Sequence, residues 1–196
     1  MDQKKVRITF TISSLEAGGA ERVMVNMANF WAKKGWQITI IAMCESQVKV
    51  EYALDERVKY IPIGILKSSS PNWSPIFEIF RISNFLRFWL LRKAIVKSKP
   101  NVVISFTDKI NISVLISLAF SNIPVIVSDR CDPTQVSLGK IWNYLRFIFY
   151  RRSDYIVIQS KGSKPFYEKF LDSEKIIIIN NPITKFPPAR KAPSIH

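Results

Sequence analysis

Val6-Arg7-Ile8-Thr9-Phe10-Thr11-Ile12, followed by Ser13-Ser14-Leu15-Glu16-Ala17-Gly18-Gly19-Ala20-Glu21-Arg22, is the stretch whose pattern decides the fold. Its first part alternates and is rich in β-branched residues, as in a half-buried strand. Beyond the glycines, Val23, Met24, Met27, Ala28 and Trp31 recur at helical spacing, so a strand hands over to a helix across Gly18 and Gly19. A helix starting there leaves backbone N–H groups unpaired and carries a partial positive charge at its N-terminus. Glycine lets a ligand approach the backbone closely, and the combination suits an anion such as a diphosphate. A tight turn that merely joins strand to helix fits the same residues. Glu21, in the first helical turn, either favours the helix dipole or makes a polar contact in an acceptor cleft.

Outward from this point, strands are expected near residues 5–12, 37–43, 58–63, 101–105, 124–128, 154–159 and 175–179, with helical patterns between most of them. Ile38-Thr39-Ile40-Ile41-Ala42 and Ile176 to Ile179 are nearly continuous apolar runs, as parallel strands covered on both faces require. The expected class is α/β, a Rossmann-like, doubly wound, mainly parallel sheet of about seven strands. Residues 64–75 read as a loop before a long helix over 76–98, and 138–152 as a second helix of similar composition. The expected domain plan is one domain over 1–181 and a Pro-rich linker or tail over 182–196, which holds Pro182, Pro187, Pro188 and Pro193.

A chain of 196 residues with 47% hydrophobic content can bury one substantial core. Its formal charge of +14 points to an anionic surface or ligand. Cys44 and Cys131 show neither a disulfide framework nor zinc-ligand spacing, and neither a metal nor a cofactor is expected. The sole histidine, His196, lies in the tail, outside any catalytic scheme in the domain. Met1-Asp2-Gln3-Lys4-Lys5 and the short apolar strand after it lack the make-up of a signal peptide, so a cytoplasmic location is expected.

Gly18-Gly19-Ala20-Glu21-Arg22-Val23 after the first strand resembles the N-terminal signature of glycosyltransferase family 4, a group of retaining GT-B enzymes. The resemblance continues, in the family's order, through residues 102–106, 125–133, 156–160 and 178–183. It implies one half of a GT-B fold: the acceptor-side domain of an enzyme moving a hexose or N-acetylhexosamine from a nucleotide-diphosphate sugar to a lipid-linked or polysaccharide acceptor. The family's donor domain, with its pair of glutamates, has no counterpart here. Transfer is therefore expected to need a second Rossmann half, supplied in a longer protein or by a separate chain.

Under that resemblance the acceptor and diphosphate candidates are Gly18, Gly19, Glu21, Asp108 and Arg130. Asp108 follows a strand end, where ligands gather in such sheets, and either orients an acceptor hydroxyl or shares with Asn111 the candidacy for an ordinary helix N-cap. Arg130 stands where many family members carry a histidine; it either clamps a phosphate or pairs with Asp129 or Asp132.

The helix over 76–98 carries Arg81, Arg87, Arg92, Lys93 and Lys97, too many cations for a bilayer span at roughly 2.5–3.5 kcal/mol each. Arg81, Arg92 and Lys99 fall on one stripe with Phe85, Phe88 and Trp89 between or beside them, and Trp142, Arg146, Arg151 and Arg152 repeat the composition. These residues are expected to face the anionic inner surface of the cell membrane, the chain being peripheral there. The alternative is that the helices pack on the sheet with their arginines snorkelling to water. Rival functions are a dinucleotide-dependent oxidoreductase, which lacks the G-x-G-x-x-G fingerprint despite Glu45 after the second strand, and a non-catalytic, peripheral membrane-binding module. Nucleic acid is not expected, because the cations share helices with large apolar side chains.

Overall fold

The computed structural model describes residues 6–45, 49–66 and 82–181. In chain order the elements are β1 (Arg7–Ile12), α1 (Gly19–Lys33), β2 (Gln37–Cys44), β3 (Lys59–Leu66), α2 (Ile82–Lys97), β4 (Val102–Phe106), α3 (Asp108–Ser117), β5 (Val125–Ser128), α4 (Lys140–Phe149), β6 (Tyr155–Ile158), α5 (Lys164–Glu168) and β7 (Ile176–Ile178). The seven strands form one sheet in the order β3-β2-β1-β4-β5-β6-β7, and every neighbouring pair is parallel. The sheet is thus wholly parallel, and the order reverses between β1 and β4.

Strand periodicity sorts the core into two layers. Ile8, Phe10, Ile12, Ile38, Ile40, Ile104 and Phe106 pack against Val23, Met24 and Ala28 of α1. Val103, Val125, Val127, Ile156, Ile158 and Ile176 face α2, α3, α4 and α5 through Leu91, Ile95, Val114, Trp142 and Tyr167. Alternation along each parallel strand puts successive side chains into opposite layers, so apolar residues are needed at nearly every position. α3 lies between α2 and α4 and is buried almost all round, which matches its apolar sequence. The last carbonyls of α3 and the turn after it take arginine donors from both sides. Arg92 of α2 donates to Ser117 O at 2.9 Å and Phe120 O at 3.4 Å, and Arg152 donates to Ala119 O. Cations there complement the helix dipole.

The expected helix over 76–98 is seen from Ile82, while residues 76–81, with Arg81, lie outside the described residues. Lys99 lies past the end of α2 with φ 49°, so it does not extend the stripe of Arg92. The element expected over 138–152 is shorter, because Gly139 takes φ 87° before α4 and residues Tyr150–Arg152 tighten into a 3-10 turn. The tail over 182–196 also lies outside the described residues.

Candidate functional site

In a doubly wound sheet, ligands collect beyond the carboxyl ends of the strands, where the order reverses. Here that rim carries the turn after β1 into α1, the turn after β4 into α3, and the segments after β5, β6 and β7. All five diphosphate or acceptor candidates from the sequence fall on it.

At the first turn, Gly18 is the N-cap of α1 with φ −172° and ψ 163°, and Gly19 is the first helical residue. Neither has positive φ, so left-handed freedom is not what this pair supplies. A Cβ on Gly18 would lie 2.0 Å from Glu21 Oε2, which shows the Glu21 carboxylate folded over Gly18. Tyr52 closes the turn from the other side: its hydroxyl accepts from Gly18 N at 2.9 Å and donates to Gly18 O at 2.7 Å. Gly19 has open space where a side chain would stand.

At the second turn, Thr107 adopts φ 70°, a strained conformation for a β-branched residue costing about 1–3 kcal/mol. Thr107 precedes α3, leaving Asp108 in the first turn, so Asp108 is not the N-cap. Its carboxylate turns inward instead and takes Arg146 Nη2 at 2.5 Å in an ion pair whose side chains are 11% and 2% exposed. Beside it, Asp129 at the tip of β5 accepts from Asn111 Nδ2 and the Tyr150 hydroxyl, each at 2.9 Å, and from the Tyr167 hydroxyl. Burial and the neighbouring Asp129 charge push the Asp108 carboxyl up to about 7, against the pull of Arg146. Burial opposes the Arg146 charge, yet Asp129 and Asp108 hold the guanidinium protonated. Burial likewise drives the Tyr150 and Tyr167 hydroxyls well above their ordinary range. These bonds tie the start of α3 and the segment after β5 to α4, to the turn after it and to α5.

Arg130 follows directly. Its guanidinium lies 4.8 Å from the Phe106 ring centroid, and Nη1 donates to Asn181 Oδ1 at 2.9 Å. Neither Asp129 nor Asp132 pairs with it; Asp132 instead accepts from Thr134 N and Oγ1. Among the described residues, then, Arg130 carries a half-buried positive charge with no carboxylate partner, and its Nε is buried without an acceptor. Burial lowers its pKa from the usual guanidinium value, as expected for a charge without compensation. Gln159, after β6, donates to the same Asn181 oxygen at 3.3 Å. The sequence did not single out Thr107, Gln159, Asn181 or the two tyrosines as site residues; only the Ile178–Ile183 run pointed near Asn181.

The residues expected to face a membrane divide. Trp142 and Arg146 are 3% and 1% exposed, so they do not face outward: α4 turns its indole into the core and its arginine to Asp108. Arg92 and Arg152 are held by the carbonyls at and beyond the end of α3. Arg87 is half-buried. Lys93 and Arg151 are exposed, over Trp89 at 5.0 Å and Phe147 at 4.3 Å. Around them α2 exposes Phe85, Leu86 and Trp89, and α4 exposes Tyr144, Phe147 and Ile148. No helix among the described residues is long and apolar enough to cross a membrane, and no group of acidic, histidine or cysteine side chains there could hold a metal.

Comparison with known proteins places this geometry. The chain is 29% identical over 173 residues to the GalNAc-alpha-(1->4)-GalNAc-alpha-(1->3)-diNAcBac-PP-undecaprenol alpha-1,4-N-acetyl-D-galactosaminyltransferase of Campylobacter jejuni subsp. jejuni serotype O:2, covering 88% of this chain and 45% of that enzyme. The chain thus spans about half the length of this curated relative. Among solved structures, a glycosyltransferase from Rickettsia africae superposes with a TM-score of 0.65 at 17% identity, over 90% of this chain and 43% of that one. The Anabaena protein HepE, in complex with UDP and glucose, gives 0.64 at 14% identity, over 91% and 45%. At such identities these two show the fold, one Rossmann-like half of a GT-B architecture. The profile of Glycosyltransferase Family 4 matches residues 17–184, from the loop ahead of α1 to just past β7, and the chain belongs to that family.

Proposed function

We propose that this chain is the acceptor-side half of a glycosyltransferase that moves a hexose or N-acetylhexosamine from a nucleotide-diphosphate sugar to a lipid-linked glycan, at the cytoplasmic face of the membrane. The observation that carries this reading is Arg130, a half-buried guanidinium without a carboxylate partner among the described residues, at the carboxyl rim of the sheet. A diphosphate fits that charge, and the C. jejuni relative is named for an acceptor joined to undecaprenol through a diphosphate. A guanidinium can hold two phosphate oxygens at once and stabilise the charge that accumulates during transfer. Gly18 and Gly19 bring the start of α1 to the same rim, and Glu21 swings off Gly18 to admit the ligand. In this reading Asp108, engaged by Arg146 in a buried ion pair, holds α3 and leaves the acceptor hydroxyl to other groups.

The exposed Phe85, Leu86, Trp89 and Lys93 of α2, with Tyr144, Phe147, Ile148 and Arg151 near α4, form the surface by which the chain rests on anionic lipid. Donor sugar binding falls to a second Rossmann half, in the same protein or in a separate chain. Alignment of two substrates is worth about 7–11 kcal/mol, so one wall of the cleft supports no appreciable turnover. The test is incorporation of radiolabelled sugar into polyprenyl-diphosphate acceptors. The 196-residue chain alone should give none, fusion to a family-type C-terminal half should restore it, and Arg130→Ala should lower the restored rate. Robust transfer by the chain alone overturns the division of labour.

A further inference from the structure

Arg130 does not stand by itself. Asn181 Oδ1, just beyond β7, accepts from Arg130 Nη1 at 2.9 Å and from Gln159 Nε2 at 3.3 Å. A guanidinium has five N–H donors and no acceptor, so the Asn181 amide must turn its oxygen toward Arg130. With both lone pairs of that oxygen engaged, the amide's opposite edge, Nδ2–H2, is left as a donor. The Phe106 ring, itself fully buried, supports the guanidinium from below at 4.8 Å. The ends of four adjacent strands therefore converge on one group: Phe106 closes β4, and Arg130, Gln159 and Asn181 follow β5, β6 and β7. The group has several donors and no carboxylate, and the Arg130 Nε is buried without an acceptor. A half-buried guanidinium without a counter-charge is costly, and an anion drawn to it offsets its charge.

We propose that Asn181 and Gln159 are positioning residues for an anion site centred on Arg130, with Asn181 aligning the guanidinium and adding its own amide N–H to a bound phosphate group. The proposal rests on the reading of Arg130 as the phosphate contact. Gln159 acts one step further out, by fixing the rotation of the Asn181 amide. The ligand class is a phosphate or diphosphate, whether free or carried by a lipid or nucleotide.

Inorganic pyrophosphate is the probe, titrated calorimetrically into the 196-residue chain, with circular dichroism verifying each variant's fold. Arg130→Ala should weaken the salt-sensitive binding by more than any of the other variants. Asn181→Ala should raise Kd about two- to tenfold, the scale of one net hydrogen bond, and Gln159→Ala should raise it by less. Asn181→Asp should raise Kd more than Asn181→Ala, because a carboxylate would pair with Arg130 and take the anion's place. In the Arg130→Ala background, Asn181→Ala should raise Kd by a smaller factor than it does in the wild-type chain, a coupling that a merely structural asparagine would not show. If Arg130→Ala leaves pyrophosphate binding unchanged, or the wild-type chain binds none, the reading of Arg130 itself fails. If Arg130→Ala weakens binding while Asn181→Ala and Asn181→Asp do not, only the positioning role is overturned. Uridine diphosphate and a short-chain polyprenyl diphosphate, titrated in parallel, separate the nucleotide from the lipid as the source of the phosphate.

Discussion

Replacing Arg146 by methionine removes the cation from a site where two carboxylates, Asp108 and Asp129, meet inside the protein. The side chains of the pair are 2% and 11% exposed, so water compensates little for the loss. Orphaning one member of a buried pair costs about 3–5 kcal/mol. With a urea m-value of about 2 kcal/mol/M, the unfolding midpoint should fall by about 1.5–2.5 M. The pH dependence follows from Asp108, whose carboxyl is raised from 3.8 to about 7, chiefly by burial and then by Asp129. Between those values the folded state binds more protons than the unfolded chain, so Asp108's contribution to stability falls as pH rises from about 4 to about 7. Arg146 limits that rise; without it the Asp108 carboxyl titrates higher still. The Arg146→Met loss should therefore be larger at pH 8 than at pH 5, and adding Asp108→Asn should recover part of it at pH 8. The assay is urea unfolding followed by far-ultraviolet circular dichroism at both pH values. A loss below about 1 kcal/mol, or an equal loss at the two pH values, would refute the role assigned to the pair.

Tyr167→Phe takes one of three donors from Asp129 and should cost about 1–3 kcal/mol in the same assay, with no change in fold. Gly19→Val meets open space and needs no positive φ, so it should cost under about 1 kcal/mol in stability while weakening pyrophosphate binding; unchanged calorimetric affinity would leave this glycine as a plain turn residue. Trp89→Ala should reduce cosedimentation with anionic liposomes, and high salt should release the wild-type chain, since exposed charges are screened beyond about 8 Å at physiological ionic strength. Trp142→Ala should instead destabilise the fold by about 3–5 kcal/mol, because its indole is core; equal binding of wild type to neutral and anionic liposomes would count against the membrane surface.

The strands were legible because a parallel sheet covered on both faces demands unbroken β-branched runs, and few other structures do. All seven lie close to the expected positions, and the glycine pair does mark the handover from β1 to α1. What local pattern could not decide was the direction of a side chain on a helix rich in both arginine and aromatics. Arg146 and Arg151 look alike in sequence, yet one is buried and the other exposed. The difference lies in Asp108, 38 residues upstream, which only the sheet order brings beside α4. The same holds at the rim: Arg130 stood next to two aspartates in sequence, and each proved to be engaged elsewhere. Asn181 became relevant only because β6 and β7 lie in sequence order beside β5.

Asp129 joins α3, the 3-10 turn after α4, and α5 at one carboxylate, immediately before Arg130 in the chain. A survey of random variants scored by cellular activity would rank it with the residues that meet substrate. Its loss would act through abundance, by emptying the pool of folded molecules, and the catalytic constant of the survivors would stay near normal. Sorting rim residues by activity alone would thus merge two populations, and dividing activity by the amount of folded protein separates them: Asp129 on the side of supply and, under the proposed function, Arg130 on the side of chemistry.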